Sequence, residues 1–297
     1  MEIKQLRYFV KAAELKSVGK AADLLNIAQP TLSRQIQALE LELKADLFAR
    51  DGRGVRLTPM GQRFLDHARG MLHAADSAVD ALREGKSAYD GRVLFGLTPS
   101  LGFRLIRTFV DRFSRQFPKA SLSIVEGYSA PLSEQVLMGK IDFAILLNPS
   151  ASPNLTVDPI TTEHLYLIGT KPVGPEQDDV RLEALAGLPL IMPHTPHTIR
   201  PLLEYEAARL GVGLNVVLEV DSVRAISQLI EAGYGYTVMP MNAVRANARS
   251  RLSWQRIVAP AIVATICLLN PARRPQTALV AEAAALARST LVELIGA

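Results

Sequence analysis

Apolar and polar positions alternate with three successive rhythms along the chain. In the first stretch, Leu6, Phe9, Val10 and Ala13 form one stripe, which predicts a helix over residues 3 to 15. Ala21, Ala22, Leu24 and Leu25 give a short second helix a small, closely packable face. Asn26, Ile27 and Ala28 make a turn, and Pro30 stands where a further helix would begin, a place that tolerates its missing N–H. Leu32, Ile36, Leu39 and Leu43 then share one helical face. Gln29, Thr31, Ser33, Arg34 and Gln37 are left pointing outward. These side chains suit base edges and phosphates, as in a helix-turn-helix whose second helix enters the major groove. An ordinary helical hairpin with a polar face is the plain alternative. The segment LFARDGRGVRLT follows, a glycine-rich turn between two short strands. It reads as a wing carrying Arg50, Arg53 and Arg56, or as a solvated basic turn.

The second rhythm begins at Thr58-Pro59, a helix start with Thr as cap and Pro in the first turn. Phe64, Ala68, Met71, Ala75, Ala78 and Leu82 recur at steps of four and three, the spacing of a coiled-coil seam. A helix from 59 to about 87 would be a rod of roughly 43 Å at ~1.5 Å per residue. Such a seam suits dimerisation; packing on its own body is the alternative.

The third rhythm alternates strands and helices. Strands are expected at 92–97, 121–126, 142–147, 165–169, 188–192, 214–219, 236–239 and 263–268. Helices are expected at 103–117, 130–138, 197–210, 223–232 and 277–295. This order predicts mixed α/β sheets covered by helices, in two lobes. Ligands in such sheets sit beyond the carboxyl ends of strands, and a cleft between lobes is a favoured pocket. Thr98-Pro99-Ser100-Leu101-Gly102 leads from the first of these strands into a helix N-terminus, a place that holds a carboxylate well. Gly127, Tyr128 and Ser129, then Asn148, and Thr195 to Thr198 with His197, would face it, and Ser222 stands before the helix at 223. Thr98, Ser100 and Ser222 are equally readable as plain helix caps. His194 and His197 have a spacing that a metal uses, but the neighbouring sequence supplies no acidic or cysteine ligand. Arg200 is placed to meet an anion or Glu204.

Composition narrows the class. The chain has 297 residues, 48% hydrophobic and 21% charged, which fits an ordinary globular protein of two or three domains. Of its net charge of +4, an excess of three sits in residues 1–58, where ten basic side chains meet seven acidic ones. Cys267 is the single cysteine, so no intrachain disulfide forms, and its apolar surroundings predict an inert thiol. No apolar run is long enough to span a bilayer, and the expected location is the cytoplasm. G-x-S-x-G, a P-loop, H-E-x-x-H and a strand-linked G-x-G-x-x-G are all missing, so no enzyme is expected.

The parts resemble LysR-type transcriptional regulators over essentially the full length. The resemblance rests on LRYFVKAAELKSVGKAADLLNIAQPTLSRQIQALELEL, LFARDGRGVRLTPMGQRFLDHAR, GKIDFAIL and GYGYTVMP. LLNPARRP and HLYLIGT are further similar to the branch holding nitrogen assimilation control proteins. The resemblance implies an α/β chain with an N-terminal winged helix-turn-helix (1–58), a linker helix (59–88) and a two-lobed effector domain of periplasmic-binding-protein type (89–297). Lobe I would take about 89–163 and 267–297, and lobe II about 164–266. It also implies promoter DNA, a small-molecule effector, RNA polymerase as partner, and dimers paired into tetramers; the helix start at Thr98–Gly102 makes that effector anionic in expectation, and no further cofactor or metal is expected. Base contact carries over onto Gln29, Pro30, Thr31 and Arg34, with Ser33 close by, while Arg50 and Arg53 of the wing suit the phosphate backbone or the minor groove. Glutamine pairs well with adenine and arginine with guanine. Thr98 to Gly102 is the segment that contributes to the effector pocket in the family. One departure is Ala28, where many members have a serine that caps the reading helix.

Overall fold

A computed structural model describes residues 1–51, 54–80, 82, 89–174, 179–195, 197–241, 243 and 252–296. Arg53 and Pro196 lie outside this set, as do linker residues 81 and 83–88. The chain divides into two compact units, Met1–Ala88 with Met138–Lys140, and Tyr89–Leu137 with Ile141–Ala297.

In the first unit, α1 (Ile3–Leu15), α2 (Val18–Leu24) and α3 (Gln29–Leu43) are followed by strands β1 (Phe48–Asp51) and β2 (Gly54–Leu57) and helix α4 (Pro59–Asp80). Ser17 caps α2 by accepting the Lys20 N–H at 3.2 Å. Ala28 cannot do so for α3, where Pro30 in the first turn removes one of the N–H groups that would need a partner. Leu6, Phe9 and Val10 meet Leu39, Leu47, Leu65 and Ala68 in one cluster, while Tyr8, Ala12, Ala21, Ala22, Leu32 and Ile36 make the other. The antiparallel wing pairs Phe48 with Leu57 and Arg50 with Val55. It is tied to the reading helix by Glu40, whose Oε1 accepts the backbone N–H of Leu47 at 2.7 Å and of Phe48 at 2.9 Å.

The T-P-x-G start of the linker has a physical reason. Thr58 Oγ1 accepts the Gly61 N–H at 2.9 Å, capping α4. At Gly61 a Cβ atom would sit 2.0 Å from the Leu47 carbonyl oxygen, so only glycine lets the helix lie this close to the wing. The sequence reading left the apolar seam to a partner, with packing on its own body as the alternative, and part of it takes that alternative. Leu65 and Ala68 are buried, and the Phe64 ring stands 5.3 Å from Phe9 of α1, so the first half of α4 packs on its own chain. Further along, Val79 and Leu82 are exposed.

In the second unit, β3 (Gly91–Leu97), α5 (Pro99–Gln116), β4 (Ala120–Glu126), α6 (Ser129–Leu137) and β5 (Phe143–Leu147) lead into a long strand, β6 (Leu155–Gly169). Then come β7 (Asp179–Arg181), a 3-10 turn at Leu182–Leu185, β8 (Pro189–Met192), α7 (Ile199–Arg209), β9 (Asn215–Glu219) and α8 (Val223–Glu231). β10 (Thr237–Pro240), β11 (Ser253–Val258), β12 (Val263–Pro271) and α9 (Ala278–Gly296) close the chain. The main sheet runs β4-β3-β5-β12-β6-β11-β7, with β10 also on β6. β3 is parallel to β4 and β5, whereas β12 is antiparallel to β5 and β6, so the sheet is mixed. β8 and β9 form a parallel pair.

β6 organises this unit. Its first part, Leu155–His164, pairs with β12, and its last part, Leu165–Gly169, with β10 and β11. One strand therefore belongs to both halves of the sheet. The sequence reading began a separate strand at Leu165 and missed the part before it, as well as β7 and β11. The apolar core includes Phe95, Phe109 and Phe143, with Phe95 stacked on Phe143 at 4.8 Å and edge-on to Phe109 at 5.1 Å.

Candidate functional site

Two places collect the sequence-predicted residues. On α3, Gln29, Pro30, Thr31 and Arg34 are exposed, Ser33 is half-buried, and Gln37 continues the exposed edge. The opposite face buries Leu32, Ile36 and Leu39. The first two turns of the helix thus present hydrogen-bonding side chains to solvent with none of them in the core. Arg50 lies on β1, while the position of Arg53 lies outside the described residues.

The second place is a cleft in the second unit. It is lined by Thr98, Pro99, Ser100, Tyr128, Ser129, Leu147, His197, Thr198, Ile199, Val223, Met239, Pro240 and Ala243. Four helices begin at its wall, α5 at Pro99, α6 at Ser129, α7 at Ile199 and α8 at Val223. Each start brings the positive end of a helix dipole, although the Ile199 N–H is taken by His197 and the Ala225 N–H by Ser222. Thr98 to Leu147 stand around β3, β4 and β5, and His197 to Ala243 around the β8–β9 pair and β10, so the cleft lies between these two groups of strands. Its free space is about 400 Å³ counting the solvent-open mouth, but the narrow interior has room for little more than a water molecule.

Thr98 precedes α5 yet its side chain makes no capping bond. Its hydroxyl instead lies 3.4 Å from that of Ser100, and both residues are buried. Ser129 Oγ donates to the Leu147 carbonyl at 2.8 Å, which spends its proton inside the protein. The Tyr128 ring lies edge-on to the His197 ring, centroids 5.1 Å apart, and its hydroxyl donates to the Asp221 backbone carbonyl at 3.2 Å. Burial, and then the nearby Asp221, push the Tyr128 hydroxyl well above the ordinary phenol range.

His197 is neutral. Burial pushes its pKa down to about 4, against the pull of Asp221. Its Nδ1 accepts the Ile199 N–H at 3.3 Å, which puts the ring proton on Nε2. Arg200, one turn into α7, points its charge elsewhere. Its Nε bonds Glu204 at 2.7 Å, and a terminal nitrogen takes the Glu219 carboxylate and the Pro193 carbonyl. The Arg200 guanidinium holds Glu219 below the usual carboxylate range. His194 lies at the surface, its Nδ1 3.2 Å from Asp221 Oδ1 and its Nε2 3.7 Å from Glu219. The His194 backbone N–H, with the Tyr128 hydroxyl and the His194 ring, holds the Asp221 carboxyl low despite some desolvation. Acidic neighbours absent from the local sequence thus reach His194 from β9 and the turn after it, but no group of three or more metal-ligating side chains forms among the described residues.

Besides Thr195, five predicted residues do not line the cleft. Leu101 belongs to the hydrophobic core. At Gly102 a Cβ would meet Glu126 Oε1 at 2.3 Å, and at Gly127 it would pack on Leu132, so both glycines make room for neighbours. Asn148 Oδ1 accepts the Thr265 N–H at 2.6 Å and pins the end of β5 to β12. Ser222 is the cap its sequence position allowed, accepting the Ala225 N–H at 3.3 Å. The reading missed Leu147, Ile199, Val223, Met239, Pro240 and Ala243, whose apolar side chains look in the sequence like any core residue.

Comparison with known proteins addresses both places. Residues 3–62 match the family model described as "Bacterial regulatory helix-turn-helix protein, lysR family". Residues 86–291 match the model described as "LysR substrate binding domain". The chain is 31% identical over 273 residues to HTH-type transcriptional regulator IlvR of Caulobacter vibrioides, covering 89% of this chain and 90% of that one. It is 29% identical over 275 residues to nitrogen assimilation regulatory protein nac of Klebsiella aerogenes, covering 92% and 90%. Among solved structures, that of CbnR, a LysR family transcriptional regulator, shares the fold at a TM-score of 0.71 and 23% identity, over 98% of this chain and 99% of that one.

Proposed function

This chain belongs to the LysR family of DNA-binding transcriptional regulators, and from that premise we propose that a small anion held in the cleft of the substrate-binding domain sets its action on a promoter. The observation that carries this reading is the meeting of four helix starts at one cleft. Helix N-termini favour negative charge. Thr98, Ser100 and Thr198 add hydroxyls to the same wall.

On the DNA side, Gln29, Pro30, Thr31 and Arg34, with Ser33, read base edges, and Arg50 and Arg53 hold the phosphate backbone. The exposure of the first four on α3 supports this assignment. The chain acts in domains 1–58, 59–88 and 89–297, pairs through the exposed far half of α4, and assembles into a tetramer that works with RNA polymerase in the cytoplasm. Exposed Val79 near the end of α4 and Leu82 just beyond it support pairing there.

An electrophoretic shift with the intergenic DNA upstream of its own gene tests the reading. The expected result is retention in preference to a shuffled duplex, changed by an organic acid present in the cell. Equal retention of both duplexes at moderate salt overturns it.

A further inference from the structure

The reading helix carries one polar side chain whose orientation is set from another helix. Gln5, in the first turn of α1, is buried, with 7% exposed. Its Oε1 accepts the backbone N–H of Glu2 at 2.9 Å, and its Nε2 donates to Gln35 Oε1 of α3 at 3.3 Å. A backbone N–H only donates, so the Gln5 atom that faces it is the oxygen. The other end of that amide is then the NH2 group, and Gln35 meets it with its own oxygen. The NH2 of Gln35 is thereby turned away from α1, and it has no partner among the described residues. An unconstrained glutamine on a helix surface shows either end of its amide. This one shows donors alone.

Its place on the helix says what those donors meet. Gln35 is half-buried and stands one turn after Thr31, on the flank of the exposed edge rather than on its crest. The turns before it carry the side chains assigned above to base edges. A flank of that kind faces the wall of the groove, which is phosphate. Phosphate oxygens accept and never donate, the complement of an amide locked with its NH2 outward. Lys4 is a second and independent sign. It is exposed, has no ion pair among the described residues, and holds its Nζ over the Tyr8 ring at 5.7 Å. Tyr8 packs with Leu32 and Ile36 of α3. An unpaired cation thus stands at the same seam between α1 and α3 that Gln5 and Gln35 span.

We propose that Gln35 donates to a backbone phosphate of the bound duplex, and that Gln5 is a positioning residue that fixes the polarity of this contact. The proposal rests on the reading of α3 as the DNA-reading helix. The Glu2 N–H orients the Gln5 amide, and the Gln5 amide orients that of Gln35. The contact is uncharged on the protein side. It therefore adds affinity on every sequence without releasing a counterion of its own.

Titrations of the full chain on matched and mismatched duplexes, at two salt concentrations, test this. Gln35→Met, of similar length, should weaken binding about 2- to 10-fold, the range of one hydrogen bond, alike on both duplexes and with the salt slope unchanged. In a series of duplexes with single phosphates replaced by methylphosphonate, one position in each half-site should cancel the effect of Gln35→Met. Gln5→Met should weaken binding by a comparable factor alone and by no further factor in the Gln35→Met background, since it acts through that residue. Gln5→Asn, too short to span Glu2 and Gln35, takes its place if Gln5→Met does not fold. A loss confined to the matched duplex makes Gln35 a base reader and overturns the phosphate contact. No loss with Gln35→Met, or no cancelling position, overturns it as well. Equal losses from the Gln5 variant in both backgrounds overturn the positioning role. Failure of the α3 reading itself looks different, because the unsubstituted protein then holds matched and mismatched duplexes alike.

Discussion

The Tyr128 hydroxyl, rooted at the start of α6, reaches across the cleft to the Asp221 backbone carbonyl at 3.2 Å. Its ring meets His197 from the same far side. One residue thus bridges the two walls of the cleft at its mouth. Tyr128→Phe keeps the ring contact and removes the bond. The expected loss is about 0.5–1.5 kcal/mol of stability, the net value of one hydrogen bond. Hydrogen exchange should quicken at the start of α8 while β3 and β5 keep their protection. Unchanged exchange at residues 221–226 would deny that the bond holds the mouth closed.

His197 gives the substrate-binding domain a pH dependence of known sign. Its pKa is depressed to about 4 in the folded chain, below the ~6.5 of an unfolded histidine. The unfolded chain therefore binds more protons between these values. The stabilisation is fully present above ~6.5, is lost as pH falls toward about 4, and changes no further below that. The linked loss is at most roughly 3 kcal/mol. Chemical denaturation from pH 7.5 to 4.5 should show this slope, and His197→Gln should flatten it. Parallel curves for the two proteins would refute the assignment.

Glu40 links reading helix and wing through two backbone N–H groups. Glu40→Ala leaves both donors to water or to nothing. The expected cost is about 1–3 kcal/mol, in the range of hydrogen bonds to a charged acceptor. DNA affinity should fall alike on matched and mismatched duplexes, since no base-reading side chain changes. A selective loss on the matched duplex alone would contradict this.

Arg34 and Arg53 separate reading from holding. Arg34→Ala should relax preference at one base pair by ~1–3 kcal/mol. Arg53→Ala should weaken binding to every sequence and lower the salt slope by about one phosphate contact. Titrations on matched and mismatched duplexes at two salt concentrations distinguish the two. The same loss on all duplexes for both variants would remove the assignment.

Where apolar spacing was regular, the sequence showed the fold closely. Residues 3–15 form α1 as the stripe of Leu6, Phe9, Val10 and Ala13 predicts, and the helix expected at 223–232 is Val223–Glu231. The first half of β6 escaped because its alternation is broken at Pro159 and diluted by Thr161, Thr162, Glu163 and His164. It is a strand through pairing with β12, which sequence neighbours do not reveal. At the cleft, the hydroxyls of Thr98, Ser100 and Thr198 were legible because they stand where strands turn into helices. Leu147 and Met239 were not, since an apolar residue at a strand end reads the same whether it faces a cleft or the core. Asn148 misled for the opposite reason, and Ser222 took the other of its two readings, the helix cap. Their polar atoms serve backbone groups of this chain.

β6 passes from one half of the sheet to the other with no loop between. Along this connection, a gap between the halves widens by twisting a hydrogen-bonded ribbon rather than by swinging on a slack joint. Such a ribbon behaves as a torsion spring. It returns to its resting angle when released, and each degree of opening costs more than the last. A ligand in the proposed cleft would have to work against that recoil.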